Sequence, residues 1–198
     1  MRYSTQFLLS AMAPAQFPAP ALPEIAFLGR SNVGKSSLLN ALVGEKAAKV
    51  SSTPGRTRAI NFFLLLDEKG RPQMRFADLP GYGYAKISRS ISAEWPKFIE
   101  PYLAEREMLR LCVCLVDVNV PPQPRDKQLF EWLTHVGRSF VVVATKVDRL
   151  SGNERTRNLG ALRSGLELEE ILPASSKTGA GIKELWARIE HAGQESSH

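Results

Sequence analysis

The chain has 198 residues, 43% hydrophobic and 23% charged, enough for one domain with a full-sized core and too short for two comfortable ones. Twenty-six basic against twenty acidic residues leave a net charge of +6 and a pI near 9.5, a balance that either draws the molecule toward RNA, DNA or an anionic membrane or only aids solubility. Two cysteines exclude a disulfide-stapled scaffold, and no apolar stretch approaches the roughly 20 residues that a helical membrane span requires.

Taken in chain order, Phe7 to Pro14 has the look of a signal-peptide core with small residues after it. Only Arg2 precedes it, however, and the apolar core Phe7-Leu8-Leu9 is very short. Residues 1–22 are therefore read as a flexible Pro/Ala-rich arm rather than an export signal, and a cytoplasmic location is expected. A domain over 23–191 follows, with a tail over 192–198. Glu24–Gly29 reads as a strand, followed by a loop and a helix through about Val43. The polar stretch Val50–Arg58 leads into a strand at Ile60–Leu66, and Lys69-Gly70 turns the chain into a second strand at Gln73–Asp78, making a hairpin. Gly81–Arg89 reads as loop and Ile91–Ala104 as helix, with Pro96 near its first turns.

Leu111–Val118 and Ser139–Ala144 are nearly all apolar with β-branched residues, the pattern of strands buried on both faces. Cys112 and Cys114 lie two apart on the first of these and share a face, which suits packing rather than metal ligation. Arg125–Val136 and Asn153–Ser164 read as helices, Glu170–Pro173 as a short last strand and Ile182–His191 as a closing helix. The alternation predicts an α/β fold. Its sheet would be mostly parallel and six-stranded, with one antiparallel hairpin partner, helices on both faces and chemistry at the carboxyl ends of the strands.

Gly29-Arg30-Ser31-Asn32-Val33-Gly34-Lys35-Ser36 matches G-x-x-x-x-G-K-S/T between a strand and a helix. Glycines let the backbone wrap a phosphate, and successive N–H groups at a helix start bind negative charge. Lys35 is expected to neutralise β- and γ-phosphate oxygens and the Ser36 hydroxyl to ligate Mg²⁺. Thr145-Lys146-Val147-Asp148 follows the second buried strand. Asp148 is placed to accept from guanine N1–H and the 2-amino group, which adenine cannot match, while the Lys146 stem can cover the base. Ala174-Ser175-Ser176, followed by Lys177, fits a backbone loop facing the guanine carbonyl. In Asp78-Leu79-Pro80-Gly81, Asp78 can hold Mg²⁺ through water and the Gly81 N–H can reach the γ-phosphate, so that losing the phosphate would release the loop. Gly55-Arg56-Thr57-Arg58-Ala59 is taken as the other switch, with Thr57 the candidate second Mg²⁺ hydroxyl and Thr53 its competitor.

These residues resemble the EngB (YihA/YsxC) GTPases, a bacterial branch of the translation-factor-like Era and TrmE group, from about Glu24 to about Ile189. The more specific marks are the Gly29–Ser37 loop, Thr53–Thr57 leading into Ile60–Phe63, Asp78-Leu79-Pro80-Gly81-Tyr82-Gly83-Tyr84-Ala85, and Thr145–Asp148. The resemblance implies a single P-loop GTPase domain that binds GTP and GDP with Mg²⁺ and hydrolyses GTP slowly. It also implies a role in assembling the large ribosomal subunit and an association with septation and cell division. A monomer is expected.

Many GTPases orient the attacking water with a glutamine just after D-x-x-G; here Tyr82 stands there, which predicts a slow enzyme alone. Related Era/TrmE-type proteins use an asparagine at the Asn32 position to hold K⁺, so K⁺ is one candidate helper and a ribosomal partner another; Asn32 as a mere loop stabiliser is the plainer reading. The catalytic set is thus Lys35, Asn32, Thr57 and Gly81. Arg56 and Arg58 could contact phosphate or RNA or be solvated. Lys86, Arg89 and Lys97 could form a basic surface or a solvated face, and Glu154–Arg157 has the same ambiguity. Trp95, Trp132 and Trp186 read as core, and His135 as incidental. The alternative function is a septation regulator acting through a protein partner without the ribosome; an RNA-modification GTPase or an ATP-dependent kinase fits less well.

Overall fold

Strict alternation along the strands assigns each strand side chain to one of two faces. In the computed structural model, which describes residues 3–44, 59–82 and 97–194, helices cover both. The strands are β1 (Ser4–Ala11), β2 (Glu24–Gly29), β3 (Ile60–Leu66), β4 (Pro72–Asp78), β5 (Leu109–Asp117), β6 (Phe140–Thr145) and β7 (Leu172–Pro173). The helices are α1 (Lys35–Val43), α2 (Ile99–Glu105), α3 (Pro124–His135), α4 (Gly152–Gly165) and α5 (Ile182–Gln194). The sheet order is β1-β3-β4-β2-β5-β6-β7. Only β3 among these strands runs against its neighbours, pairing antiparallel with β1 and β4, while β4, β2, β5, β6 and β7 are mutually parallel.

Ile25 and Phe27 of β2 and Leu111, Val113 and Leu115 of β5 pack with Leu38 and Leu42 of α1 and Leu185 and Ile189 of α5. Ala26 and Leu28, with Cys112, Cys114 and Val116, pack on the other face with Tyr102 of α2, Leu129 and Leu133 of α3 and Leu162 of α4. The two cysteines do share a face. Burial pushes the Cys112 thiol up to about 12 and Cys114 well above its ordinary range, so both act as packing groups. Local chemistry sets the element ends. Pro124 opens α3, where its missing N–H costs nothing. Ser151 and Glu154 cap α4 reciprocally. Between β3 and β4, the Asp67 carboxylate accepts from the Lys69 and Arg71 backbone N–H groups at 2.9 Å each, closing the expected hairpin turn.

The sheet has seven strands rather than six, and the difference lies in the residues read as a flexible arm. Ser4–Ala11 forms β1, in register from Ser4 opposite Leu66 to Ala11 opposite Ile60, with an irregularity at Leu8. Aromatic seats hold the segment. Tyr3 stacks on Trp186 at 5.1 Å, and Phe17 packs against Phe62 and Tyr102. The carbonyls of Pro18 and Ala19 accept from Arg106 and Arg75. The helix expected from Ile91 is seen as α2, starting at Ile99; residues 91–96, with Trp95, lie outside the described residues. Trp132 and Trp186 are half-buried against the two core clusters, as expected of core residues, and the Trp186 indole donates to the Leu42 carbonyl at 2.7 Å.

At the amino end of β2 the fully buried Glu24 carboxylate receives Arg106 through Nε (3.0 Å) and Nη2 (2.6 Å), the Tyr102 hydroxyl (3.0 Å) and Arg75 Nη1 (3.3 Å). A buried carboxylate is tolerable only with such partners. This end of the sheet is closed.

Candidate nucleotide site

At the opposite end, the carboxyl ends of β2, β4, β6 and β7 bring four loops together. The first runs from Gly29 to α1. A Cβ on Gly29 would come within 2.8 Å of the Val33 side chain and 3.1 Å of Leu115, so the close seat of the loop on β5 requires glycine. Gly34, at φ +102°, caps α1, and Asn32 takes φ +66°, which asparagine tolerates better than most residues. The N–H groups of Lys35 and Ser36 belong to the first turn of α1, where no intrahelical acceptor exists. They offer donors and the positive end of the helix dipole to an anion.

The second loop is Asp78-Leu79-Pro80-Gly81. Asp78 is buried and ion-paired with Lys35, so the two opposite charges that a Mg²⁺-phosphate group would engage already meet here. Beyond Gly81 the chain is stitched to the first loop. Tyr82 N–H donates to the Gly29 carbonyl at 3.3 Å and Ser31 N–H to the Tyr82 carbonyl at 3.0 Å, forming a parallel bridge with Arg30. A Cβ on Gly81 would lie 3.1 Å from Ser31 N. The Tyr82 ring does not face out of the loop in place of a water-orienting amide. It is 1% exposed within the core, and its hydroxyl donates to Asp126 of α3 at 2.9 Å.

The third loop leaves β6. The Thr145 hydroxyl lies 2.6 Å from the Val33 carbonyl oxygen, tying the first loop to the third. Lys146, at φ +64°, extends so that Nζ donates to the Asn32 carbonyl at 2.8 Å and to Asp117 at 2.6 Å. Burial acts to raise Asp117, but hydrogen bonds from Lys146 and Asn119 outweigh it and hold the carboxyl below its ordinary range. Val147 is buried and Asp148 exposed. The fourth loop follows β7. The Ser175 hydroxyl donates to Asp148 at 2.6 Å and accepts from the Lys177 and Thr178 N–H groups at 3.2 Å each. That hydroxyl holds the Asp148 carboxyl below its usual range. Ala174 is buried, and Ser176 is exposed beside the aspartate. The side chain of Ser175 thus orients Asp148, a use that differs from the backbone contact expected of this loop.

Residues 53–58, with Thr53, Gly55, Arg56, Thr57 and Arg58, lie outside the described residues, as do Lys86 and Arg89; Ala59 is buried just before β3. Lys97 and His135 are exposed. Two acidic residues escaped sequence reasoning. Asp117, ending an otherwise apolar strand, had a visible signal in that contrast. Asp126, among charged helix residues, had none. Asp126 lines a cavity of about 230 Å³ with Arg30, Asn32, Asp117, Val120 and Lys146. Ser36, Asp78 and Asp148 do not line it, but Ser31, Asn32 and Val33 of the first loop and Lys146 of the third do, so it adjoins the loops' expected ligand face.

Among the described residues, no cluster of three His, Cys, Asp or Glu side chains could hold a metal. The oxygen donors at this end are the Ser36 hydroxyl and the Asp78 carboxylate, a sparse hard set that fits Mg²⁺ shared with phosphate and water. No helix among the described residues is long and apolar enough to cross a membrane.

Residues 24–146 match the family described as 50S ribosome-binding GTPase. The whole chain is 63% identical over 199 residues to a probable GTP-binding protein EngB of Acidobacterium capsulatum, covering 94% of that protein. It is 59% identical to the one of Koribacter versatilis, covering 99% of this chain and 98% of that one. Among solved structures it is similar to Era in complex with MgGDPNP and nucleotides 1506–1542 of 16S ribosomal RNA, at 26% identity and a TM-score of 0.68, over 89% of this chain and 58% of Era.

Proposed function

Because this chain belongs to the EngB family of GTP-binding proteins, a P-loop GTPase family, we propose that it is a slow GTP-driven switch in assembly of the large ribosomal subunit, needed for normal septation and cell division. The observation that carries the nucleotide part is the convergence of four loops at one end of the sheet, tied to one another through Thr145, Lys146 and Tyr82. With β1 paired to its edge and α5 running on to Gln194, the GTPase domain extends beyond the expected 23–191 at both ends, and the protein works as a cytoplasmic monomer.

The Gly29–Ser36 loop wraps the phosphates, with Arg30, Ser31, Asn32, Val33 and Gly34 contributing backbone and Lys35 its ammonium. Ser36, Thr57 and, through water, Asp78 would hold Mg²⁺, which when bound neutralises charge on the β- and γ-phosphates. Gly55, Arg56, Arg58 and Ala59, with Leu79, Pro80 and the Gly81 N–H, frame the γ-phosphate. Asp148, oriented by Ser175, reads guanine, with the Lys146 stem and Val147 beneath the base and Ala174 and Ser176 at its carbonyl. Tyr82 carries no amide to orient water, and the burial of its ring away from the loops supports slow intrinsic turnover. Asn32 would help hold K⁺ as a further source of charge; equal hydrolysis in K⁺ and Na⁺ at matched ionic strength would remove that part.

The ribosomal part rests on the matched family's description and on the +6 net charge. Co-sedimentation with large ribosomal subunits, comparing GDP with a non-hydrolysable GTP analogue across a salt series, tests it. Retention favoured by the analogue at moderate salt is expected. Equal, salt-labile retention with both nucleotides would leave a GTPase without this partner, because nonspecific binding of basic proteins to RNA fades steeply with salt. A septation partner would then be the better reading.

A further inference from the structure

The residue following D-x-x-G is fastened twice. Its backbone bridges both sides of Arg30 in the phosphate loop, and its side chain crosses the core to a carboxylate on α3. Asp126 is 3% exposed and Tyr82 1%, and both lie beside Cys114 and within the field of Arg30, whose buried Nε has no hydrogen-bond partner among the described residues. A carboxylate is a costly way to satisfy one tyrosine hydroxyl, since an amide would accept the same bond without a charge to desolvate. What the carboxylate adds is strength, because hydrogen bonds to charged acceptors are shorter and stronger than neutral ones.

We propose that Asp126 is a positioning residue for GTP hydrolysis: by gripping the Tyr82 hydroxyl it seats Gly81 against Ser31, so that the Gly81 N–H stands where the γ-phosphate is cleaved. The proposal rests on the GTPase reading of the site. Asp126 touches no substrate and works through Tyr82, whose backbone is continuous with Gly81 and bound to Gly29 and Ser31. α3 thereby becomes part of the catalytic frame, and Asp126 lines the same cavity as Ser31 and Asn32 of the phosphate loop.

The test is single-turnover GTP hydrolysis together with affinities for fluorescent GDP and a fluorescent non-hydrolysable GTP analogue, on the full chain. In Asp126→Ala the hydrolysis rate at saturating GTP should fall about tenfold, the scale of a lost charge-assisted hydrogen bond, while GDP affinity changes less than about twofold. Asp126→Asn, whose side-chain oxygen still accepts from Tyr82 but without the charge, should recover part of the rate and fall between Ala and the wild type. Tyr82→Phe should match Asp126→Ala, and combining the two should add nothing further. An unchanged rate in Asp126→Ala, an Asn variant as slow as Ala, or multiplicative effects in the double variant would overturn the proposal. So would a parallel loss of GDP affinity, which marks a merely structural bond. Should Asp126→Ala not fold, Tyr82→Phe, lacking one oxygen, decides alone. A wild-type chain that does not hydrolyse GTP would instead overturn the GTPase reading itself, and this proposal with it.

Discussion

The two ends of β2 hold charge in opposite ways. At the amino end, Glu24 is enclosed by Arg106, Arg75 and Tyr102, and its partners come from α2, β4 and the segment just after α2. At the carboxyl end, Lys35 pairs with Asp78, Lys146 with Asp117 and Ser175 with Asp148, each on the rim of converging loops. The first arrangement consumes its charges in holding the fold. The second keeps them paired but within reach of a ligand that could exchange partners with them. Burial makes the difference, since Glu24 is fully enclosed whereas Asp148 is open to solvent.

The sharpest break in this comparison is Glu24→Ala, which strands two arginines and a tyrosine hydroxyl and should destabilise the fold by about 3–5 kcal/mol. Guanine-nucleotide affinity of the remaining folded protein should hold; urea unfolding and nucleotide titration measure the two separately. Asp148→Asn should do the reverse. GTP affinity should drop by about a thousandfold, because an amide cannot accept both guanine donors, with the melting temperature unchanged and xanthine nucleotide binding gained.

Asp126 sharpens the contrast through pH. Burial raises its carboxyl from 3.8 to about 6, against the smaller lowering effects of the Tyr82 hydrogen bond and Arg30. The folded state therefore holds the proton more tightly than the unfolded one, so this group's contribution to stability is present below pH 3.8 and is lost as pH rises through 6. Asp126→Asn should stabilise the protein at pH 7 by on the order of 3 kcal/mol relative to its effect at pH 4. Thermal melts across that range check it, and a pH-independent difference would refute it. The smallest effect is expected for Asp117→Ala. Lys146 loses one tether but keeps the Asn32 carbonyl, so the nucleotide should leave about tenfold faster, as stopped-flow displacement would show.

Most of the site was legible because loop motifs are local. Gly29–Ser36 and Thr145–Asp148 announce themselves by spacing, and the alternation in Leu111–Val118 assigns Cys112 and Cys114 to one face without any tertiary knowledge. Asp126 was illegible for the converse reason, since its partner Tyr82 is 44 residues away and no periodicity links them. The hydroxyl of Ser175 was given no role because the geometry that points it at Asp148 depends on two loops meeting. β1 was missed on composition. A neutral segment followed by prolines reads as an arm until the open edge of β3 and the seats for Tyr3 and Phe17 are known, and pairing of that kind is non-local.

The placement of β1 also orders events at birth. The segment is translated ahead of the edge it joins, β3, which pairs Ala11 with Ile60 and Ser4 with Leu66. It must wait through the synthesis of β2, α1 and the residues up to Ile60 before it can dock. Until then Phe7, Leu8 and Leu9 travel as an unpaired, uncharged strand, the kind of segment that nascent-chain chaperones shelter. β1 is thus the last piece of this edge to be sewn in, and a bulky fusion placed beside it would meet the growing sheet at its closing seam.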